Sequence, residues 1–188
     1  MQEEYPAYAQ LGKKRYALNT SYKVAIECID VINSSEFSDE ERALLVIALL
    51  YKDWEKIPER DYGKACKIAV KYLQCGREDT KNYNHEKDMD YKKDMGYIKA
   101  SFMSDYEIDL NKNSNMHWYN FFNYCNGLTQ NCILNRVRDI RNYDLNNIKD
   151  KNQKEKMQEL KEIFALPKSV SKEELERIKK YNEIFEIK

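Results

Sequence analysis

Residues 116–128 read M-H-W-Y-N-F-F-N-Y-C-N-G-L. Trp118, Tyr119, Phe121, Phe122 and Tyr124 crowd into barely two turns of a helix. Gly127 then supplies a helix stop. Wound as a helix, these rings go most of the way round the axis instead of forming one stripe. Such a helix is either the centre of a small core, or half core and half partner surface. Both readings stand on the sequence. No catalytic constellation falls within the stretch, which points to a protein that works by packing and binding.

The segments on either side support a helical fold. Toward the N-terminus, 5–10 and 14–18 read as the arms of a small hairpin around Leu11-Gly12-Lys13. A lone hairpin is marginal in water, so it must rest on helices. A first helix begins near 19–21, with Tyr22, Ala25, Ile26, Ile29 and Ile32 on one face. A second begins with the capping box Ser38 and Glu41 and runs into A-L-L-V-I-A-L-L at 43–50. So apolar a run predicts a central helix covered on several sides. A third covers about 61–74, with Gly76 as its stop. Residues 77–87 are polar and read as an exposed loop. A fourth helix is predicted over 88–105, carrying Tyr91, Met95, Ile98 and Phe102 on one face. After the aromatic helix come 129–142, then a charged helix with Met157, Leu160, Ile163 and Phe164, broken by Pro167. Ser171 and Glu174 form another capping box before Leu175, Ile178, Tyr181, Ile184 and Phe185. The reading is all-α, a mainly helical single domain with a small N-terminal β-hairpin over 1–167, followed by a C-terminal helical extension over 168–188.

Composition agrees. The 188 residues include only 5 Gly and 3 Pro, and 42% are hydrophobic. The 32 basic and 32 acidic side chains cancel, which argues against a dedicated nucleic-acid or anionic-membrane binder. No apolar run approaches the roughly 20 residues of a membrane span, and the first residues lack the apolar core of a signal peptide. Five cysteines without a C-x-x-C spacing predict free thiols in a reducing cytoplasm.

Candidate chemistry is sparse. His117 and Cys125 are eight residues apart, about 12 Å of helical rise, too far for a dyad. His85 lies in a polar loop. Asp105, Glu107 and Asp109 alternate like a calcium loop but lack its glycine and final glutamate; Asp109 reads instead as a partner of local backbone amides. Arg136, Arg138 and Arg141 suggest a phosphate face, interrupted by Asp139 and Asp144. The sequence therefore predicts no enzyme, metal or cofactor.

In order along the chain stand Tyr5-Pro6, G-K-K at 12–14, N-T at 19–20, S-D-E-E-R-A-L-L-V-I-A-L-L-Y at 38–51 and C-G at 75–76. They are followed by D-M-G-Y-I-K-A-S-F-M-S-D-Y-E-I-D-L at 94–110, M-H-W-Y-N-F-F with N-G-L at 116–128, and F-A-L-P at 164–167. This ordered set resembles the gene-product-fifteen family of long-tailed bacteriophages over about 5–167. Glu107 stands where the pattern has glycine. Genes of that family usually lie between those for the tail tube and the tape measure. The resemblance therefore implies a tail assembly chaperone in the cytoplasm of the bacterial host. Its partner would be the tape-measure protein, with the tail-tube protein as a second candidate, held in a groove lined by Trp118, Tyr119, Phe121 and Phe122. The accessible ring edges are expected at Trp118 and Tyr119. The alternatives are a structural tail-completion component of the virion and a nucleic-acid-binding helical regulator using the three arginines.

Overall fold

The computed structural model describes residues 5–77, 87–167 and Arg177. Two antiparallel strands open the chain, β1 (Tyr8–Leu11) and β2 (Lys14–Ala17). Gly12, at φ +60°, takes the turn position that a side chain would strain. The period of two puts Ala9, Leu11 and Tyr16 inside, while Tyr8 faces out under Arg15. Helices α1 (Tyr22–Asn33), α2 (Asp39–Leu50), α3 (Tyr62–Leu73), α4 (Met95–Tyr106), α5 (Trp118–Asn126), α6 (Ile133–Asn142) and α7 (Lys151–Phe164) follow. The fold is mostly helical with one small hairpin.

The hairpin rests on the helices through hydrogen bonds as well as burial. Asn19 N–H donates to the Leu50 carbonyl (2.7 Å) and Lys52 N–H to the Ala17 carbonyl (3.0 Å), tying β2 to the end of α2. Helices α1 and α5 start from a shared bridge: Trp118 N–H donates to the Thr20 carbonyl (2.7 Å) and Tyr22 N–H to the Met116 carbonyl (3.0 Å). This bridge fixes where α5 enters the core.

Two helix starts follow directly from their caps. Ser38 Oγ accepts from Glu41 N–H while Glu41 accepts from Ser38 N–H, the reciprocal box that opens α2. Asp150 accepts from Gln153 N–H and opens α7. The fourth helix is shorter than its apolar spacing predicts. It begins at Met95, because Asp90 Oδ1 accepts from Lys92 and Lys93 N–H and Asp94 Oδ2 accepts from Asp90 N–H. Those carboxylates offer the backbone an alternative to the helix. The helix predicted over 129–142 likewise begins only at Ile133, with Cys132 Sγ accepting from Asn135 N–H.

The expectation for α2 is corrected. Only Val46, Ile47 and Leu50 of this helix are buried, and Leu44 is 43% exposed. Helix α2 lies at the edge, packed on α1 and α3 rather than surrounded. Stacked rings dominate the centre. Tyr22 and Phe121 lie parallel at 4.5 Å, Phe102 stacks on Phe121 at 5.3 Å, and the Tyr22 hydroxyl donates to the Leu110 carbonyl.

On the far side, Arg141 forks onto Asp94 at 2.7 and 2.8 Å and also donates to the carbonyls of Asp88 and Phe164. One guanidinium thus joins α6, the segment before α4 and the end of α7. No described helix is long and apolar enough to cross a membrane. The extension over 168–188 lies outside the described residues apart from Arg177, which is helical and exposed.

Candidate partner-binding site

Four aromatic side chains of α5 are candidate partner contacts, and the fold sends them in different directions. Phe121 sits among Tyr22, Phe102 and Trp118 and is fully buried. Trp118 is also fully buried at 0% exposure, and its indole N–H donates to the Leu73 carbonyl at 3.0 Å. The accessible edge expected at Trp118 is therefore absent. The shared bridge with α1 turns this residue inward, against Tyr91 at 5.7 Å. Tyr119 is half-buried under the N-terminal segment, with Tyr5 at 5.4 Å and Tyr72 at 5.3 Å. Phe122 remains half-buried and packs on Trp118 at 5.6 Å. So α5 is divided: one side is core, and of the four Phe122 and the buried ring of Trp118 line a groove.

That groove has a volume of about 460 Å³, within the range of ligand and anchor pockets. Trp118 is its floor. Ile29 and Ile32 of α1 form one wall, Val70 and Leu73 of α3 the other, and Tyr91 and Phe122 the ends. Ile32 and Val70 are 37% and 38% exposed. Arg77 lies over the Phe122 ring at 4.7 Å and brings a positive charge to the mouth. Sequence reasoning does not place Val70, Tyr91 or Arg77 here. Val70 carries one signal: it is apolar yet off the buried stripe of α3 formed by Ala65, Ala69, Tyr72 and Leu73. The end of α3 shapes the mouth, because Cys75 and Gly76 both take left-handed backbone (φ +54° and +71°) and turn the chain away.

Two thiols near the groove are held in one protonation state. Burial pushes the thiols of Cys75 and Cys125 up to about 12, so both stay protonated near neutral pH. Burial also lowers the pKa of His117, while the Pro6 backbone carbonyl opposes that shift. His117 Nδ1 accepts from Tyr119 N–H (3.1 Å), so the neutral ring is the cap of α5.

The other candidates have structural partners. Asp109 Oδ1 accepts from Asn111 N–H, and Asp105 accepts from Thr129 N–H and its hydroxyl. Among the described residues no group of His, Cys, Asp and Glu is placed to hold a metal ion. Arg138 pairs with Asp88 and Arg141 with Asp94, so two of the three arginines of the suggested phosphate face are already committed to carboxylates.

A family model described as Bacteriophage Gp15 protein matches residues 1–166. The chain belongs to that family. No curated protein matches the chain, and no solved structure matches it.

Proposed function

We propose that this Gp15-family phage protein is a non-enzymatic tail assembly chaperone, acting in the host cytoplasm, that covers an apolar helical segment of the tape-measure protein. The α1–α3–α5 groove carries this reading. A long helix with an apolar stripe aggregates unless its stripe is covered, and a groove with an aromatic floor and aliphatic rims receives side chains at i, i+3 and i+4. The rim residues Ile32 and Val70 are exposed already, so binding would bury them without opening the core.

The test is co-expression with the tape-measure protein encoded nearby. The wild-type chain should keep that protein soluble and co-purify with it. Ile32→Glu combined with Val70→Glu should weaken binding by about thirtyfold or more, the consequence of losing about 2 kcal/mol at an anchor. Circular dichroism should show the variant folded, since both side chains are at the surface. Failure of the wild type to bind any tail protein would sink the proposal. Mass spectrometry of purified virions separates it from a structural tail-completion role: a chaperone is absent from the finished tail. A salt-dependent shift of DNA would instead favour the regulator.

A further inference from the structure

The two walls of the groove differ in charge. Helix α3, which supplies Val70, carries Lys64, Lys67 and Lys71 and no Asp or Glu. All three lysines are exposed, and Lys67 stands one helical turn before Val70 on the same side of the helix. Arg77, past the end of α3, lies over Phe122 at the mouth. Among the described residues no carboxylate pairs with any of these cations. The α1 wall has no charge to offer them. Its carboxylates Glu27 and Asp30 both hold Lys92, at 2.7 and 2.8 Å. In a chain of zero net charge, the α3 rim is a local positive row.

We propose that the groove selects a helix whose apolar stripe is bordered by Asp and Glu, with those carboxylates lying along α3. This rests on the groove being the partner's site and adds which helices it takes.

Aliphatic and aromatic walls accept any amphipathic helix, so they give affinity without choice. Charge supplies the choice. A lysine-bordered stripe sets like charges against the α3 row, whereas an acidic border meets it with opposite ones. The row also costs the free protein something: Lys67 and Lys71 are like charges at i and i+4, which weakens a helix. An acidic partner helix relieves that repulsion. Nucleic acid also takes basic rows, but the exposed apolar rims of Ile32 and Val70 offer a phosphate backbone nothing. Glu78 and Asp79 follow Arg77 in the sequence, so the test turns on the helical lysines.

The experiment uses the full chain and two synthetic helical peptides. Both carry the same leucine stripe at i, i+3, i+4 and i+7; one is bordered by Glu and the other by Lys. Calorimetric titration at low salt should give the Glu peptide a Kd about tenfold lower, the gain of two or three exposed ion pairs. The advantage should fade toward about 1 M salt, where the Debye length is about 3 Å. Lys67→Glu combined with Lys71→Glu should reverse the preference, and Lys67→Gln combined with Lys71→Gln should abolish it. Circular dichroism should show both variants folded, since the side chains are exposed. Ile32→Glu combined with Val70→Glu should lose both peptides, which places them in the groove. Equal affinity for the two peptides, or binding of neither, would overturn the proposal. A preference that survives in the folded lysine variants would do so too, as would peptide binding that survives the Ile32 and Val70 changes. Displacement of the Glu peptide by a short DNA duplex would assign the row to nucleic acid and overturn it as well. The partner reading fails separately: there, the peptides behave as stated but co-expressed tape-measure protein does not co-purify. A tape-measure complex that forms equally with the lysine variants, at low and high salt, sinks the charge proposal alone.

Discussion

Glu107 carries a side chain at φ +57°, left-handed backbone that ends α4. The turn is one that glycine adopts freely, so here the Cβ bears the strain. That conformation costs an L-residue about 1–2 kcal/mol, part of which glycine returns through its looser unfolded chain. The Glu107 side chain is exposed. Glu107→Gly should therefore raise stability by about 0.5–1 kcal/mol, read from urea melts, and Glu107→Val should lower it. His117 makes a second prediction. Its folded pKa is depressed, so the folded state favours the neutral ring. Stability is complete above the unfolded histidine value of about 6.5 and declines as pH falls below it toward the lower folded value. Asn at 117 can cap α5 without titrating. Urea melts at pH 7.5 and 5.5 should show the wild type losing more stability than His117→Asn does.

At the scale of the element, α2 and α5 teach the same lesson about apolar helices. The run at 43–50 is aliphatic on every side, yet the fold buries one face of it. Ile47→Asp should prevent cooperative folding, because Ile47 is fully buried among apolar side chains and a lone charge there is costly. Leu44→Asp should change stability by about 0.5 kcal/mol or less. Circular dichroism of the pair checks which face is inside. What is legible in the sequence is local: the Ser38–Glu41 box, the Gly12 turn and the helical periods all act within a few residues. Gly127 ends α5 where expected, but by another route. Its φ is −90°, which any residue adopts, and a Cβ there would meet the Tyr106 hydroxyl at 2.9 Å, so the tip of that side chain would have to move aside. The start of α4 is not legible, because Asp90 and Asp94 commit their carboxylates to backbone N–H groups and to Arg141. The groove is illegible for a further reason. Ile32, Val70, Tyr91 and Phe122 meet only once three helices are docked, and the periodicity of one helix contains nothing about its neighbours.

At the scale of the molecule, Arg141 is the joint that holds α6, the segment before α4 and the end of α7 together. Its side chain is 10% exposed and that of Asp94 is 2% exposed. Removing one member of so buried a pair leaves the other uncompensated. Arg141→Ala should cost about 3–5 kcal/mol and speed amide hydrogen exchange in α7, whose own residues are not buried. Arg141→Lys should recover little, since an ammonium cannot fork onto one carboxylate and reach two carbonyls together. The buried floor of the groove has an optical consequence. The chain has two tryptophans, and Trp118 is fully buried among apolar side chains with its indole N–H on a carbonyl, whereas Trp54 is partly exposed. Light emitted by Trp118 should lie to the blue and resist iodide, while Trp54 should be quenched. With Trp54→Phe, the remaining indole becomes a built-in lamp beneath the groove, whose colour and brightness register whatever settles on top of it.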